Sequence, residues 1–372
     1  MKNPFTLGIV RREDFCNREK ELEDLLRSAR NGNHTVLYAP RRFGKSSLVT
    51  LALDILRQEG FLTVYIDLFP VTSELDFISR FSSGIFKGVG RETDPRSFLE
   101  ETANLFKKLI PSIDIKPDGF SLSVKFDRSL EPDLLLDDLM EGLYRYVEGK
   151  KLRACIALDE FQEITELPGS KRIEGILRSH IQLHKEVAYF FVGSRRGMLK
   201  DMFSNTSRPF YKSAFLYTLQ EISREDFVSY VVKKFMDTGK RCPKEIANQI
   251  YDLTRGYPYY VQKLASLAWD RTEKECDGPI VQEAYRHLIE IERIDFEGIW
   301  SGLTLMQKSL LRAIAEEPVH SPYSREFLER HHFTIGGTQR AMKILLSRDL
   351  IEKDGQGRYR LTDPIMEAWL KG

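Results

Sequence analysis

Three short stretches of this chain carry residue types that handle phosphate. The first is Ala39-Pro40-Arg41-Arg42-Phe43-Gly44-Lys45-Ser46-Ser47, which follows the apolar run from His34 to Tyr38. A strand that turns into Gly-Lys-Ser and then opens a helix has the build of a P-loop. Backbone N–H groups of the turn and the positive end of the helix converge there on phosphate oxygens. Lys45 supplies a mobile positive charge, and the Ser46 hydroxyl is a hard oxygen ligand suited to Mg²⁺. Ala39 stands where the pattern usually begins with glycine. A negative φ lets alanine sit there, and Pro40 pushes it towards an extended conformation. The plain alternative is an ordinary glycine-containing strand–helix turn.

The second stretch is Asp159-Glu160, at the end of the apolar run Ala154–Leu158. Carboxylates at the C-terminal edge of a buried parallel strand emerge where open α/β sheets bind ligands. Asp159 is placed to bind Mg²⁺, directly or through water, and Glu160 to act as general base on an attacking water. The third stretch is Ser194-Arg195-Arg196, after Val187–Val192. Ser194 suits a sensor hydrogen-bonded to a γ-phosphate or to that water; its alternative is a polar helix cap. Arg195 and Arg196 could serve as an arginine finger to a neighbouring subunit of a homo-oligomer, a solvated helix start being the plainer account. Arg41 and Arg42 would steer phosphate or contact the insertion at 70–150. Together these residues predict binding of ATP or ADP with Mg²⁺, with Lys45, Asp159, Glu160 and Ser194 as the catalytic set.

These residues need a sheet to hold them. Leu22, Leu25, Leu26 and Ala29 recur at helical spacing and predict a helix over 18–31. After the P-loop, Leu48, Leu51, Ala52, Ile55 and Leu56 mark a helix that stops at Gly60, and a strand follows over 62–67. This βαβ unit, with later strands near 154–158, 187–192 and 215–219, predicts a parallel sheet. The fold class is therefore α/β: a P-loop NTPase sheet of the ASCE or AAA+ kind, flanked by helices. Residues 70–150 read as an insertion. Helices are expected over Phe77–Ile85, Pro95–Leu109 and 133–147, with a hairpin turning at Pro117-Asp118-Gly119.

From Ser223 to about Asp295 the pattern is helical, broken at Gly239–Pro243, Gly256–Pro258 and Gly278-Pro279. Thr304 and Gln307 then form a capping-box pair. Further helices start near Ser324 and Thr338, the latter with Ala341, Ile344 and Leu345 inward. A hairpin over 350–361 turns at Asp354–Gly357. Three helices and a β-wing are the winged-helix order. The expected division is a P-loop core over 1–220, an all-helical lid over 221–298 and a winged-helix domain over 299–372.

Charges nearly cancel, 56 Lys+Arg against 55 Asp+Glu, so no global field argues for nucleic acid or an anionic membrane. The four cysteines (16, 155, 242 and 276) show neither C-x-x-C nor metal-ligand spacing with histidine. A reducing compartment is the simplest expectation. The first twelve residues lack a signal-peptide apolar core, and no run reaches the roughly 18 apolar residues that span a bilayer. A soluble, cytoplasmic protein is expected.

With these residues in view, the chain resembles the archaeal-type ATPases of the STAND class, relatives of the AAA+ group and of archaeal origin-recognition initiators. Phe15-Cys-Asn17-Arg18-Glu19 resembles the family's opening motif, which borders the adenine. Tyr38–Ser46 resembles its P-loop and Leu158-Asp-Glu-Phe-Gln162 its Walker B. Arg255-Gly-Tyr-Pro258 resembles the lid motif whose proline touches the nucleotide, and Asp363-Pro364 the winged-helix ending. The resemblance adds Phe15, Arg18 and Pro258 to the nucleotide-binding residues. It implies a nucleotide between sheet and lid, slow hydrolysis, and a switch that moves the winged helix. At Pro209-Phe-Tyr-Lys212 the family often carries Gly-Arg; Lys212 keeps the charge without the bidentate fork. The winged helix would engage a protein partner. Duplex DNA is the alternative, on the face of Gln339, Arg340, Lys343 and Ser347, although Asp349, Glu352 and Asp354 lie near. A non-hydrolysing, nucleotide-stabilised scaffold is the third reading.

Overall fold

Strands β5 (Ala154–Asp159) and β6 (Val187–Gly193) are buried at every position. Such continuous apolar runs are what a strand covered on both faces requires. The computed structural model describes residues 2–8, 15–90, 105–116, 119–127 and 129–372. Within them β5 and β6 lie inside a five-stranded sheet with β1 (Thr35–Tyr38), β2 (Leu62–Asp67) and β7 (Phe215–Thr218). The order is β2-β5-β6-β1-β7, and every pairing is parallel. All five strands therefore point their C-terminal ends, and the residues just beyond, at one edge.

The sheet belongs to a compact unit made of Arg18–Ala39 and Lys45–Leu219. Helices Glu74–Val89, Pro132–Gly149 and Ser170–Ile181 bury Phe77, Phe81, Leu135, Leu139 and Leu177 in one core with Val64, Ile156 and Phe191 of the sheet. In the expected insertion, β3 (Leu109–Lys116) and β4 (Gly119–Phe126) pair antiparallel, with Lys116 opposite Gly119. The turn residues Pro117 and Asp118 lie outside the described residues, as does 95–104 of the helix expected over 95–109. The rest of that helix is not formed. The N–H groups of Lys107, Lys108 and Leu109 all donate to the buried Asp138 carboxylate, at 2.9, 2.8 and 3.2 Å. Three successive donors converging on one carboxylate cannot also serve a helix ladder.

A second compact unit gathers Met1–Asn17, Pro40–Gly44 and Gln220–Gly372. Its helices Arg224–Met236, Lys244–Leu253, Pro258–Arg271 and Gly278–Ser301 break where glycine and proline predict. The last runs past Asp295 to Ser301 without interruption. Helix Leu305–Glu316 begins with the full capping box of Thr304 and Gln307. Helices Arg325–Arg330 and Ile335–Ser347 follow, and then the wing, β8 (Ile351–Lys353) against β9 (Tyr359–Leu361). The helix expected near Thr338 starts at Ile335, because the Thr334 hydroxyl accepts from the Gly337 N–H at 3.2 Å. Its buried face is Thr338, Ala341, Met342 and Leu345; Met342 takes the inward place expected of Ile344, which is 40% exposed. Among the described residues no helix is long and apolar enough to cross a membrane.

Candidate functional site

In the first unit, the chain leaves β1 through Ala39, which is fully buried and outside the left-handed region, so alanine is at home there. Helix Lys45–Gln58 restarts the unit. Lys45 is buried, and its Nζ donates to the Ala39 carbonyl at 2.9 Å. Ser46 Oγ donates to Asp159 Oδ2 at 2.7 Å. The other carboxylate oxygen of Asp159 accepts from the Glu160 N–H at 2.9 Å. The hydroxyl of Tyr65, on β2, also donates to Asp159 Oδ2. Burial, reinforced by the Asp159 charge, pushes the Tyr65 phenol well above its ordinary range, so it remains a donor. Residues 113 positions apart are thus joined at the edge of the sheet.

Glu160 turns off β5 with φ 50°, a left-handed conformation rare outside glycine. That turn carries its carboxylate to the end of β6. Glu160 Oε2 accepts from the Ser194 N–H at 3.2 Å, from Ser194 Oγ at 2.8 Å, and from the Gln162 amide. The approach requires Gly193: a Cβ there would lie 1.9 Å from Gln162 Oε1. Beneath it, Phe161, Phe191, Phe203 and Phe210 form a buried cluster, which packs the strand end against helix Arg196–Ser204.

The sheet unit therefore brings Ser46 to Asp159 and Ser194 to Glu160, with Lys45 on the Ala39 carbonyl. Sequence reasoning missed Tyr65. The visible hint was the alternation in β2, where Val64 and Ile66 are buried and Tyr65 and Asp67 are exposed. Ser47 is buried. Arg18 is buried and paired with Glu21 at 2.6 Å. Arg195 pairs with Glu163 and Glu166 of its own chain at 3.6 and 3.3 Å. Lys212 has φ 55°, and its N–H donates to the Phe203 carbonyl at 3.0 Å.

The turn Pro40–Gly44 groups with the second unit, as do Phe15 and Pro258. Pro40 and Pro258 are buried, Phe15 is half-buried, and Arg41 is exposed. Gly44 (φ 85°) and Arg42 (φ 65°) are both left-handed. The Arg42 guanidinium donates to Glu292, to the Tyr260 hydroxyl at 2.5 Å and to Asp295 at 3.2 Å, and lies 4.7 Å from the Tyr259 ring centre. Lys263 shares the buried Glu292 at 2.5 Å. The Tyr260 hydroxyl donates in turn to Asp363, which caps the final helix Pro364–Lys371. Phe43 meets Tyr257 edge-on at 5.1 Å. Arg42 thus contacts Tyr259, Tyr260, Glu292 and Asp295 rather than the 70–150 insertion expected of it, because carboxylates and aromatic rings converge on its guanidinium.

Ser46 Oγ and Asp159 Oδ2 are converging oxygen donors 2.7 Å apart. Mg²⁺ takes few protein oxygens of this type and completes its shell with phosphates and water, so these residues fit the ion.

Residues 15–264 match the family model described as an ATPase domain predominantly from Archaea, and residues 294–372 match a probable winged helix domain. No curated protein matches the sequence. Among solved structures, the chain is similar to the Walker-type ATPase PABY2304 of Pyrococcus abyssi. That likeness has 20% identity and TM-score 0.69, over 99% of this chain and 100% of that one. It is also similar to the Aeropyrum pernix ORC2 protein in ADPNP–ADP complexes, at 13% identity and TM-score 0.58, over 95% and 92% of the two chains. At these identities the likeness shows a shared fold.

Proposed function

Because the chain belongs to the family of ATPase domains predominantly from Archaea, we propose that it binds ATP with Mg²⁺ and hydrolyses it slowly, as a switch for its winged helix. The observation that carries the reading is the bond between Ser46 Oγ and Asp159 Oδ2. It joins the P-loop serine to the carboxylate ending β5, the pair a Mg²⁺–triphosphate requires. Lys45 and the N–H groups that open helix Lys45–Gln58 bind the phosphates. Ser46 and Asp159 would hold Mg²⁺, which when bound neutralises phosphate charge. Glu160 takes the proton of the attacking water, and Ser194 orients it.

The proposed slowness rests on Glu160. Its Oε2 is already an acceptor for Ser194 and Gln162, and a base so engaged must shed a donor before it takes a proton. A slow step of this kind suits a timer. Phosphate release by wild type and by Glu160→Gln tests hydrolysis; equal rates near zero would leave the scaffold reading. Lys45→Ala is expected to abolish nucleotide-induced thermal stabilisation, and an unchanged shift would remove the P-loop assignment.

A protein partner for the winged helix is supported by its surface. Ile335, Ile344 and Leu346 are 55, 40 and 38% exposed on one helix. The wing arginines are neutralised internally, Arg358 by Asp354 and Arg360 by Glu352, both at 2.9 Å. Duplex DNA stays as a second reading because Gln339, Arg340, Lys343 and Ser347 are all exposed on that helix. A labelled-duplex titration at two salt concentrations separates the two, since phosphate contacts make DNA binding strongly salt-dependent.

A further inference from the structure

Two of the four cysteines, distant in sequence, sit on adjacent segments. The segments following helices Arg224–Met236 and Pro258–Arg271 run side by side. Arg241 and Glu275 form a parallel bridge. The Arg241 N–H donates to the Lys274 carbonyl and the Cys276 N–H to the Arg241 carbonyl, each at 2.8 Å. The next residue along each segment is a cysteine, so parallel pairing sets Cys242 opposite Cys276 with both side chains on one face. Paired strands lie about 4.8 Å apart, which is within the roughly 4.4–6.8 Å that disulfides span between Cα atoms.

Both thiols are buried, at 3% and 1% exposure. The neighbouring Cys242 side chain holds the Cys276 thiol below its ordinary range. Cys276 is therefore the better nucleophile of the two. Cys155 lies inside β5 and Cys16 in the N-terminal segment.

We propose that Cys242 and Cys276 are a cross-link site that forms a disulfide by exchange with a low-molecular-weight disulfide. The Cys276 thiolate attacks one sulfur of the small disulfide, breaking its S–S bond, and releases one small thiolate. The Cys242 thiol then loses its proton and attacks Cys276 Sγ, releasing the second small thiolate. Two protein thiols are oxidised, one small disulfide is reduced to two thiols, and the two protons pass through solvent. Both thiols are buried, so exchange proceeds when the two segments part locally. The new bond closes the loop 242–276, which contains Tyr257, Pro258 and the Tyr260 that binds Arg42. A covalent closure of this loop restricts the unfolded chain.

The test uses the full-length wild-type protein incubated with oxidised glutathione, alkylated without reduction, and read by intact mass and peptide mapping. Expected is a loss of about 2 Da before alkylation, two alkylated thiols out of the four, and a Cys242–Cys276 linked peptide. The melting temperature is expected to rise by about 5 °C and to return on adding dithiothreitol. Cys242→Ser should lose both the linked peptide and the shift while folding like the reduced wild type. Four alkylated thiols, a glutathione adduct on Cys276 that never resolves, or a link through Cys16 or Cys155 would each overturn the proposal.

Discussion

Asp159 shows how much of a site lies in contacts that no motif announces. Its carboxylate is held by Ser46, by the Glu160 N–H and by the Tyr65 hydroxyl. Tyr65→Phe removes one hydroxyl and leaves the ring in place. Affinity for ATP in the presence of Mg²⁺ is expected to fall by about 3- to 10-fold, in line with the roughly 1 kcal/mol of one hydrogen bond to a ligand's supporting group. Affinity without divalent metal should stay as in wild type. Calorimetric titrations with and without EDTA check this, and equal losses in both would make Tyr65 a packing residue only.

His184 belongs to the same scale. Burial first, then the nearby His180 and His34, pull its pKa down to about 4 from 6.5. Its Nδ1 meets the Tyr189 hydroxyl at 2.8 Å. Between those pH values the unfolded chain binds a proton that the folded chain refuses. Stability is then complete above 6.5 and is lost as pH falls towards 4. Glu174 acts in the opposite sense. Burial outweighs its partner Arg208, 2.6 Å away, and holds its pKa up to about 6 against 4.5. Its contribution is complete below 4.5 and is lost as pH rises through 6. The larger histidine shift should prevail, so the melting temperature is expected to drop on acidification from pH 6.5 to 4.5. In His184→Gln the drop should shrink or reverse. Lys45, Ser46, Asp159, Glu160 and Ser194 were legible because each ends a strand or opens a helix in a local pattern. Tyr65 was not, since its contact with Asp159 depends on β2 lying beside β5.

Among the elements, the strands and long helices followed directly from apolar periodicity. The exceptions came from long-range polar capture, as where Asp138 draws three N–H groups from 107–109. Arg42 is another such case. Its left-handed backbone favours glycine, yet its side chain binds Glu292, Asp295 and Tyr260. Arg42→Ala keeps the unfavourable backbone and loses the ion pairs, while Arg42→Gly loses the pairs but relieves the backbone. Both are expected to be less stable than wild type, with the glycine variant about 1 kcal/mol more stable than the alanine variant. Urea unfolding of the three proteins measures the difference. An alanine variant equal to wild type would mean that the Glu292 pair contributes nothing.

Across the whole molecule, the winged-helix order, the parallel sheet and the helical stretch were readable from the positions of glycine, proline and capping residues. The membership of Pro40–Gly44 was not readable, because it depends on packing against Tyr257, Tyr260 and Glu292, more than two hundred positions away. A fragment ending at Leu219 is therefore expected to lose nucleotide-induced thermal stabilisation although it retains Lys45, Ser46 and Asp159. Differential scanning fluorimetry of fragment and full chain compares them, and an undiminished shift in the fragment would show the turn to be self-sufficient.

That membership also bears on how a bound phosphate could be felt at a distance. The turn is built from the same body as the wing, and Arg42, Tyr260 and Asp363 form a short hydrogen-bonded line from one to the other. A shift of those five residues would bear directly on Tyr260 and, through its hydroxyl, on Asp363. Selection for sensitivity would fall on the stiffness of that line, and a single lost hydroxyl, as in Tyr260→Phe, would slacken it.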